Sequence, residues 1–309
     1  MKVLIIDNVH SFLINELEKH KITCDSASNK TKEDIRKIIK NYEGIILRSR
    51  FNIDKHLIDA GRKLKFIARA GSGLENIDIK YAEMKKIACF NAPEGNRQAV
   101  AEHTLAMILS LLNNINHADQ EIRNKIWRRE ENRGIEISGK TFGIIGYGNT
   151  GSALANLLQN FNVKILAYDK YRQDYPYQAD MSEITGEADF VSLHIPLNTE
   201  TEYLVNDEFI KRMKKPFFLI NTSRGKCVRT SSLVDGLKRK KIIGACLDVF
   251  EQEKDSFKNL ELEKDSDFNY IVNSKKTILS PHIAGWTNES YYKISKILSE
   301  KIITYLRFD

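Results

Sequence analysis

Cysteine is scarce in this chain, and no stretch of it stays apolar for long. Cys24, Cys89, Cys227 and Cys246 lie far apart, which excludes the close pairs that zinc sites and redox motifs require and leaves four reduced structural thiols. The longest apolar stretch, Thr104 to Leu112, is too short to span a bilayer. The chain opens on Lys2-Val3-Leu4-Ile5-Ile6, a strand pattern and not a secretory leader, so a cytoplasmic location is expected, with no membrane partner. No group of histidines and carboxylates has metal-ligand spacing, and no metal is expected. Positive charge is in excess, at a formal +7, but the lysines are spread without a dense block or a nucleic-acid motif. That excludes a nucleic-acid partner and leaves a field able to steer a small anion.

What is present is an alternation of short apolar runs and helical patterns. With 309 residues, 42% hydrophobic and 29% charged, the chain is long enough for two domains, each with its own core and a cleft possible between them. Runs at Val3–Ile6, Ile45–Leu47, Phe66–Ala68 and Ile87–Phe90 predict four strands of a first unit, with helices near Ser11–Lys19, Lys32–Asn41, Lys55–Ala60 and Ile79–Lys85. A longer helix starts near Asn96. Six further strands are predicted at Lys140–Ile145, Val163–Tyr168, Phe190–Leu193, Phe217–Asn221, Ile242–Leu247 and Thr277–Leu279. A final helix, roughly Asn288 to Leu306, is long enough to return to the first unit, and the charged stretch from Glu251 to Asp267 reads as an exposed loop or short helix. This is an α/β chain with two doubly wound parallel sheets.

The most informative loop follows the first strand of the second series. Gly146-Tyr147-Gly148-Asn149-Thr150-Gly151 sits between an apolar strand and a helix. In that context Gly146 permits a tight turn, Gly148 lets a pyrophosphate approach the backbone, and Gly151 lets the helix lie near the strand, whose amide end attracts phosphate. Asp169, at the end of the next strand, can accept from both ribose hydroxyls and would repel a 2′-phosphate, which favours NAD over NADP; Lys170 and Arg172 beside it soften that repulsion.

Three more segments place polar residues after strands: Asn221-Thr222-Ser223-Arg224-Gly225, Asp248-Val249-Phe250-Glu251-Gln252-Glu253, and Ser280-Pro281-His282-Ile283-Ala284-Gly285. A guanidinium to orient a carboxylate, an imidazole to move a proton and a carboxylate to steady it are what hydride transfer from a 2-hydroxy acid needs.

Together with the glycine motif these segments resemble the D-2-hydroxyacid dehydrogenase family, and the similarity covers nearly the whole chain from Arg69-Ala70-Gly71-Ser72-Gly73-Leu74-Glu75-Asn76-Ile77-Asp78 to the last helix. The resemblance implies that Arg224, Glu253 and His282 are catalytic. Arg224 would bind the substrate carboxylate and carbonyl, His282 would be the acid/base, and Glu253, five positions after Asp248, would be its partner in place of Glu251. It implies NAD contacts from Gly146, Gly148, Asn149, Thr150, Gly151, Asp169, His194, Pro196, Thr222 and Asp248, and substrate carboxylate contacts from Ser72 and Gly73. His103 reads as a packed structural histidine. The implied architecture is a discontinuous flavodoxin-like substrate domain (1–95 and 286–309) and a Rossmann NAD-binding domain (96–285), paired into a homodimer around the long helix and the loop after it.

Within the family, Arg48 and Arg69 at strand ends, Asn96, and Arg129 in Trp127-Arg128-Arg129 are similar to the substrate-binding positions of phosphoglycerate dehydrogenases, with Arg129 expected to reach across the dimer. D-3-phosphoglycerate is the expected substrate, with glyoxylate or hydroxypyruvate as the alternative, and an NAD-sensing corepressor is a further reading. The chain stops at Asp309, without the serine-sensing domain many such enzymes carry, so serine feedback is not expected. Asn149 and Thr150 replace the Arg and Ile frequent in the glycine motif, and Trp286 is bulkier than the small residue many relatives use there.

Overall fold

The computed structural model describes residues 1–253 and 265–308. They form two compact units, one from residues 1–97 with 286–308, the other from 98–253 with 265–285. The expected charged loop lies, for residues 254–264, outside the described residues.

The first unit runs β1 (Lys2–Ile5), α1 (Ser11–Lys19), β2 (Thr23–Ser26), α2 (Lys32–Ile38), β3 (Gly44–Leu47), α3 (Lys55–Ala60), β4 (Phe66–Arg69), α4 (Ile79–Met84) and β5 (Ala88–Phe90). Its strands pair in parallel in the order β2-β1-β3-β4-β5, the flavodoxin-like arrangement. Alternate residues of β1 and the Ile6 that follows it serve opposite cores: Val3 and Ile5 pack with Leu13 and Leu17, Leu4 and Ile6 with Ile35 and Leu57. Burial on both faces explains the unbroken apolar runs. Strand β2 was not among the four expected. It is Thr-Cys-Asp-Ser, half-exposed and paired only with β1, so as an edge strand it needs no apolar run.

The second unit contains α5 (Arg97–Leu112), α6 (Ile115–Arg123), β6 (Thr141–Ile145), α7 (Asn149–Leu158), β7 (Lys164–Tyr168), α8 (Met181–Glu187), β8 (Phe190–Leu193), α9 (Asp207–Arg212), β9 (Phe217–Asn221), α10 (Thr230–Lys238), β10 (Ile242–Leu247), α11 (Ser266–Asn273) and β11 (Thr277–Leu279). Its parallel sheet has the order β11-β10-β9-β8-β6-β7, a Rossmann-type sheet. The strand sequence reverses at β6, so ligands are expected at the carboxyl ends beside it. Phe142, Phe190 and Phe218 stack across β6, β8 and β9 at 4.4 and 4.8 Å between ring centres. Such pairs add about 0.5–1.5 kcal/mol each beyond area burial.

The last helix, α12 (Asn288–Phe308), belongs to the first unit, where Ile294, Leu298 and Ile302 are buried beside Val3 and Leu13. Among the described residues no helix is long and apolar enough to cross a membrane.

Candidate active site

The glycine loop of the second unit is built as sterics require. Gly146 has φ +94°, and a Cβ there would lie 2.4 Å from the His194 carbonyl oxygen. A Cβ at Gly151 would lie 2.0 Å from the Gly146 oxygen, so α7 sits against the turn as only glycine permits. At Gly148, the N-cap of α7, a Cβ would meet nothing within 4 Å. That open space in front of the first amides of α7 fits a pyrophosphate.

Asp169 follows β7, and its carboxylate is oriented by three amides: Tyr147 N–H donates to Oδ2 at 2.8 Å, and Tyr171 and Arg172 donate to Oδ1 at 2.9 and 3.1 Å. Thr150, on the first turn of α7, lies 3.2 Å from Nδ1 of His194, whose Nε2 lies 2.9 Å from Ser192 Oγ. Burial pushes the His194 imidazole down to about 4, so it is neutral near pH 7. Thr222, after β9, meets Thr104 of α5 at 3.1 Å between hydroxyls, and the Pro196 carbonyl accepts from Thr201 at 2.7 Å. Asn149 opens α7.

The three polar segments follow β9, β10 and β11, which are neighbours in the sheet. Asn221 is buried and organises its own loop, accepting from Ser223 N–H and Oγ–H at 3.1 and 2.8 Å and donating to the Arg224 carbonyl at 3.0 Å. A Cβ at Gly225 would lie 1.8 Å from the Phe250 oxygen, so the β9 and β10 loops touch. The Arg224 guanidinium donates to the Ser223 carbonyl at 2.7 Å.

Glu253 and His282 meet at 2.8 Å, between Oε2 and Nδ1. The other Glu253 oxygen accepts from Phe250 N–H at 2.9 Å. A carboxylate only accepts, so the shared proton sits on Nδ1. Glu251 is engaged elsewhere, accepting from the Tyr203 hydroxyl and Thr230 N–H at 2.8 Å each.

His282 itself has φ +56°, an uncommon conformation for a side-chain-bearing residue. Asp248 holds it there. This carboxylate is 1% exposed and accepts from Ser280 Oγ–H at 2.6 Å and from the amides of Ile283 and Ala284 at 2.8 Å each, while its carbonyl accepts from His282 N–H at 2.8 Å. His103 of α5 joins through Ser280 Oγ at 2.9 Å and stands 3.7 Å from Asp248. Nothing in local pattern reveals this anchoring, since it links residues more than thirty positions apart.

In the first unit the substrate candidates gather at the carboxyl ends of β3 and β4. Ser72 Oγ–H donates to Asn96 at 2.6 Å, and its carbonyl accepts from Asn91 at 2.5 Å. Arg69 is committed to these two strand ends: its guanidinium donates to the carbonyls of Arg48 at 2.9 Å and Gly73 at 2.6 Å and pairs with Glu75 at 3.1 Å. The Arg48 guanidinium instead lies over the rings of Trp286 at 4.0 Å and Tyr291 at 5.1 Å. Arg129 is exposed. All four cysteines are unpaired, and burial raises Cys24 and Cys89 to about 11, which removes them as nucleophiles. Among the described residues no cluster could hold a metal ion.

Residues 105–284 match the NAD binding domain of the D-isomer specific 2-hydroxyacid dehydrogenases. The chain belongs to this family. It is 31% identical over 309 residues to a D-3-phosphoglycerate dehydrogenase of Archaeoglobus fulgidus, covering 98% of this chain and 57% of that protein. To a hydroxypyruvate reductase of Thermotoga maritima it is 34% identical over 278 residues, covering 89% and 88%. A solved structure of D-lactate dehydrogenase from Aquifex aeolicus, complexed with NAD and lactic acid, aligns with a TM-score of 0.81 at 26% identity, over 100% of this chain and 96% of that one. The chain spans 53–58% of the length of the D-3-phosphoglycerate dehydrogenases of Archaeoglobus, Synechocystis and Methanocaldococcus that it matches.

Proposed function

We propose that this protein oxidises D-3-phosphoglycerate to 3-phosphohydroxypyruvate with NAD, the reaction that opens serine synthesis. The observation carrying the redox part is the Glu253–His282 pair, 2.8 Å apart on adjoining strand-end loops with Arg224 on the next. The glycine loop and Asp169 would hold the dinucleotide, whose nicotinamide ring, when bound, accepts or returns a hydride. His282 takes the hydroxyl proton at Nε2 as the carbonyl forms, and returns it in reduction. Glu253 offsets the charge on the resulting imidazolium and keeps the ring in one tautomer. Arg224 offers a fork of N–H donors to the substrate carboxylate and developing carbonyl.

The phosphate assignment rests on Arg48, with Arg69 shaping the loop beside it. A second reading, hydroxypyruvate or glyoxylate reduction, is favoured by the similarity to the Thermotoga reductase, which extends over 88% of that protein. The homodimer reading is supported by Ile115, Ile122, Trp127 and Ile135, all large apolar side chains exposed on or after α6; Arg129 would then serve the partner's substrate. Measuring NAD-dependent turnover of phosphoglycerate, glycerate, lactate and malate tests the assignment. Phosphoglycerate is expected to give the highest kcat/KM, and a preference for glycerate would move the assignment to the second reading.

A further inference from the structure

We infer that His103 is a positioning residue for the proton-transfer histidine: through Ser280 and the buried Asp248 it fixes the turn that presents His282. This rests on the dehydrogenase reading above and names a further part of the same site. By pattern alone His103 is a packed histidine, but the structure gives its ring a directed role. Ser280 Oγ has one proton and a carboxylate only accepts, so the 2.6 Å contact with Asp248 Oδ1 uses that proton. The 2.9 Å contact between Ser280 Oγ and His103 Nε2 is then donated by the imidazole. Donation runs one way, from His103 through Ser280 to Asp248.

In such a chain each bond polarises the next, and the effect is strongest where water is excluded. Asp248 is 1% exposed, and among the described residues the basic side chain within ion-pair reach of it is His103, 3.7 Å from Oδ1. The carboxylate that His103 supports is the one that gathers the amides of Ile283 and Ala284 around His282 at φ +56°. A conformation of that kind persists only where its surroundings over-determine it. His103 has a firm base for this role. The next residue of α5, Thr104, is fully buried and donates to the Val100 carbonyl at 2.7 Å, so its 3.1 Å contact with Thr222 is donated by Thr222. Two consecutive residues of one helix thus hold the loops after β11 and β9, those that carry His282 and Arg224.

The test compares wild type with His103→Leu, His103→Gln, Ser280→Ala and the double variant of His103→Leu with Ser280→Ala. Reduction of 3-phosphohydroxypyruvate, hydroxypyruvate and pyruvate by NADH is followed, with NADH affinity as the check on folding. Leucine keeps apolar bulk without a donor, whereas glutamine restores a side-chain N–H. His103→Leu is expected to lower kcat about tenfold, with KM for the keto acid and NADH affinity changed far less. His103→Gln should recover most of that loss. Ser280→Ala should lose about as much as His103→Leu, and the double variant no more than either alone, because all three break one chain. Wild-type kcat in His103→Leu overturns the inference and spares the dehydrogenase reading. Equal losses in the leucine and glutamine variants, with NADH binding weakened in parallel, overturn it in favour of packing. Losses that multiply in the double variant overturn the route through Ser280. Wild-type protein that reduces none of the three keto acids overturns the dehydrogenase reading and the inference with it.

Discussion

At the scale of single residues, the site depends on one histidine kept in a conformation it would not choose alone. His282 sits at φ +56° because Asp248 gathers the hydroxyl and amides of the turn that carries it. Removing the Asp248 charge should therefore loosen that turn. Asp248→Asn is expected to lower kcat by about 10- to 100-fold, the usual result of misplacing a reacting group by an ångström, while the protein stays folded by circular dichroism; an unchanged kcat would show that the turn holds itself. Arg224, Glu253 and His282 stand out in the sequence because each sits in a short motif whose spacing survives in one dimension, and the fold brings Glu253 against His282. Two neighbouring acids, Glu251 and Glu253, look alike in the letters, and the fold separates them by giving Glu251 to Tyr203 and Thr230. The duty of Asp248 was not legible, nor was the commitment of Arg69 to the carbonyls of Arg48 and Gly73, because both depend on contacts that exist only after folding.

Among the elements, the most predictable were those buried on two faces. Every strand of the second sheet shows as an apolar run, whereas β2, polar and at an edge, left no such mark. The turn from β6 into α7 was legible for a different reason: glycine is demanded by space, and space is what a Gly-x-Gly-x-x-Gly pattern records. Gly151→Val tests this. With the Gly146 oxygen 2.0 Å from the new Cβ, α7 has to shift. Denaturant unfolding should show a loss of about 1–3 kcal/mol, typical of overpacking, and NADH titration should show binding weakened by more than about tenfold, for a loss of roughly 1.4 kcal/mol or more. Native affinity would mean that the helix end does not hold the dinucleotide.

For the molecule as a whole, stability should depend on pH through His194. Its folded pKa of about 4 lies below the unfolded value of 6.5. Between these values the unfolded chain binds the proton and the folded one does not, so stability rises with pH across this window. The contribution is full above pH 6.5 and is lost as pH falls through 4. Thermal melts between pH 4 and 7 should thus show a falling midpoint on the acid side, with a shallower slope in His194→Gln; equal slopes would mean that other groups govern the acid limb.

Turnover of the His282→Gln variant is the most direct measure of the whole account. Purified wild-type protein given NAD and D-3-phosphoglycerate should produce NADH, and the variant should lose turnover by about 10²- to 10⁴-fold, the range of general acid/base catalysis, while still binding NADH. A variant that turns over at the wild-type rate would contradict the proton-transfer role of His282 and the site built around it.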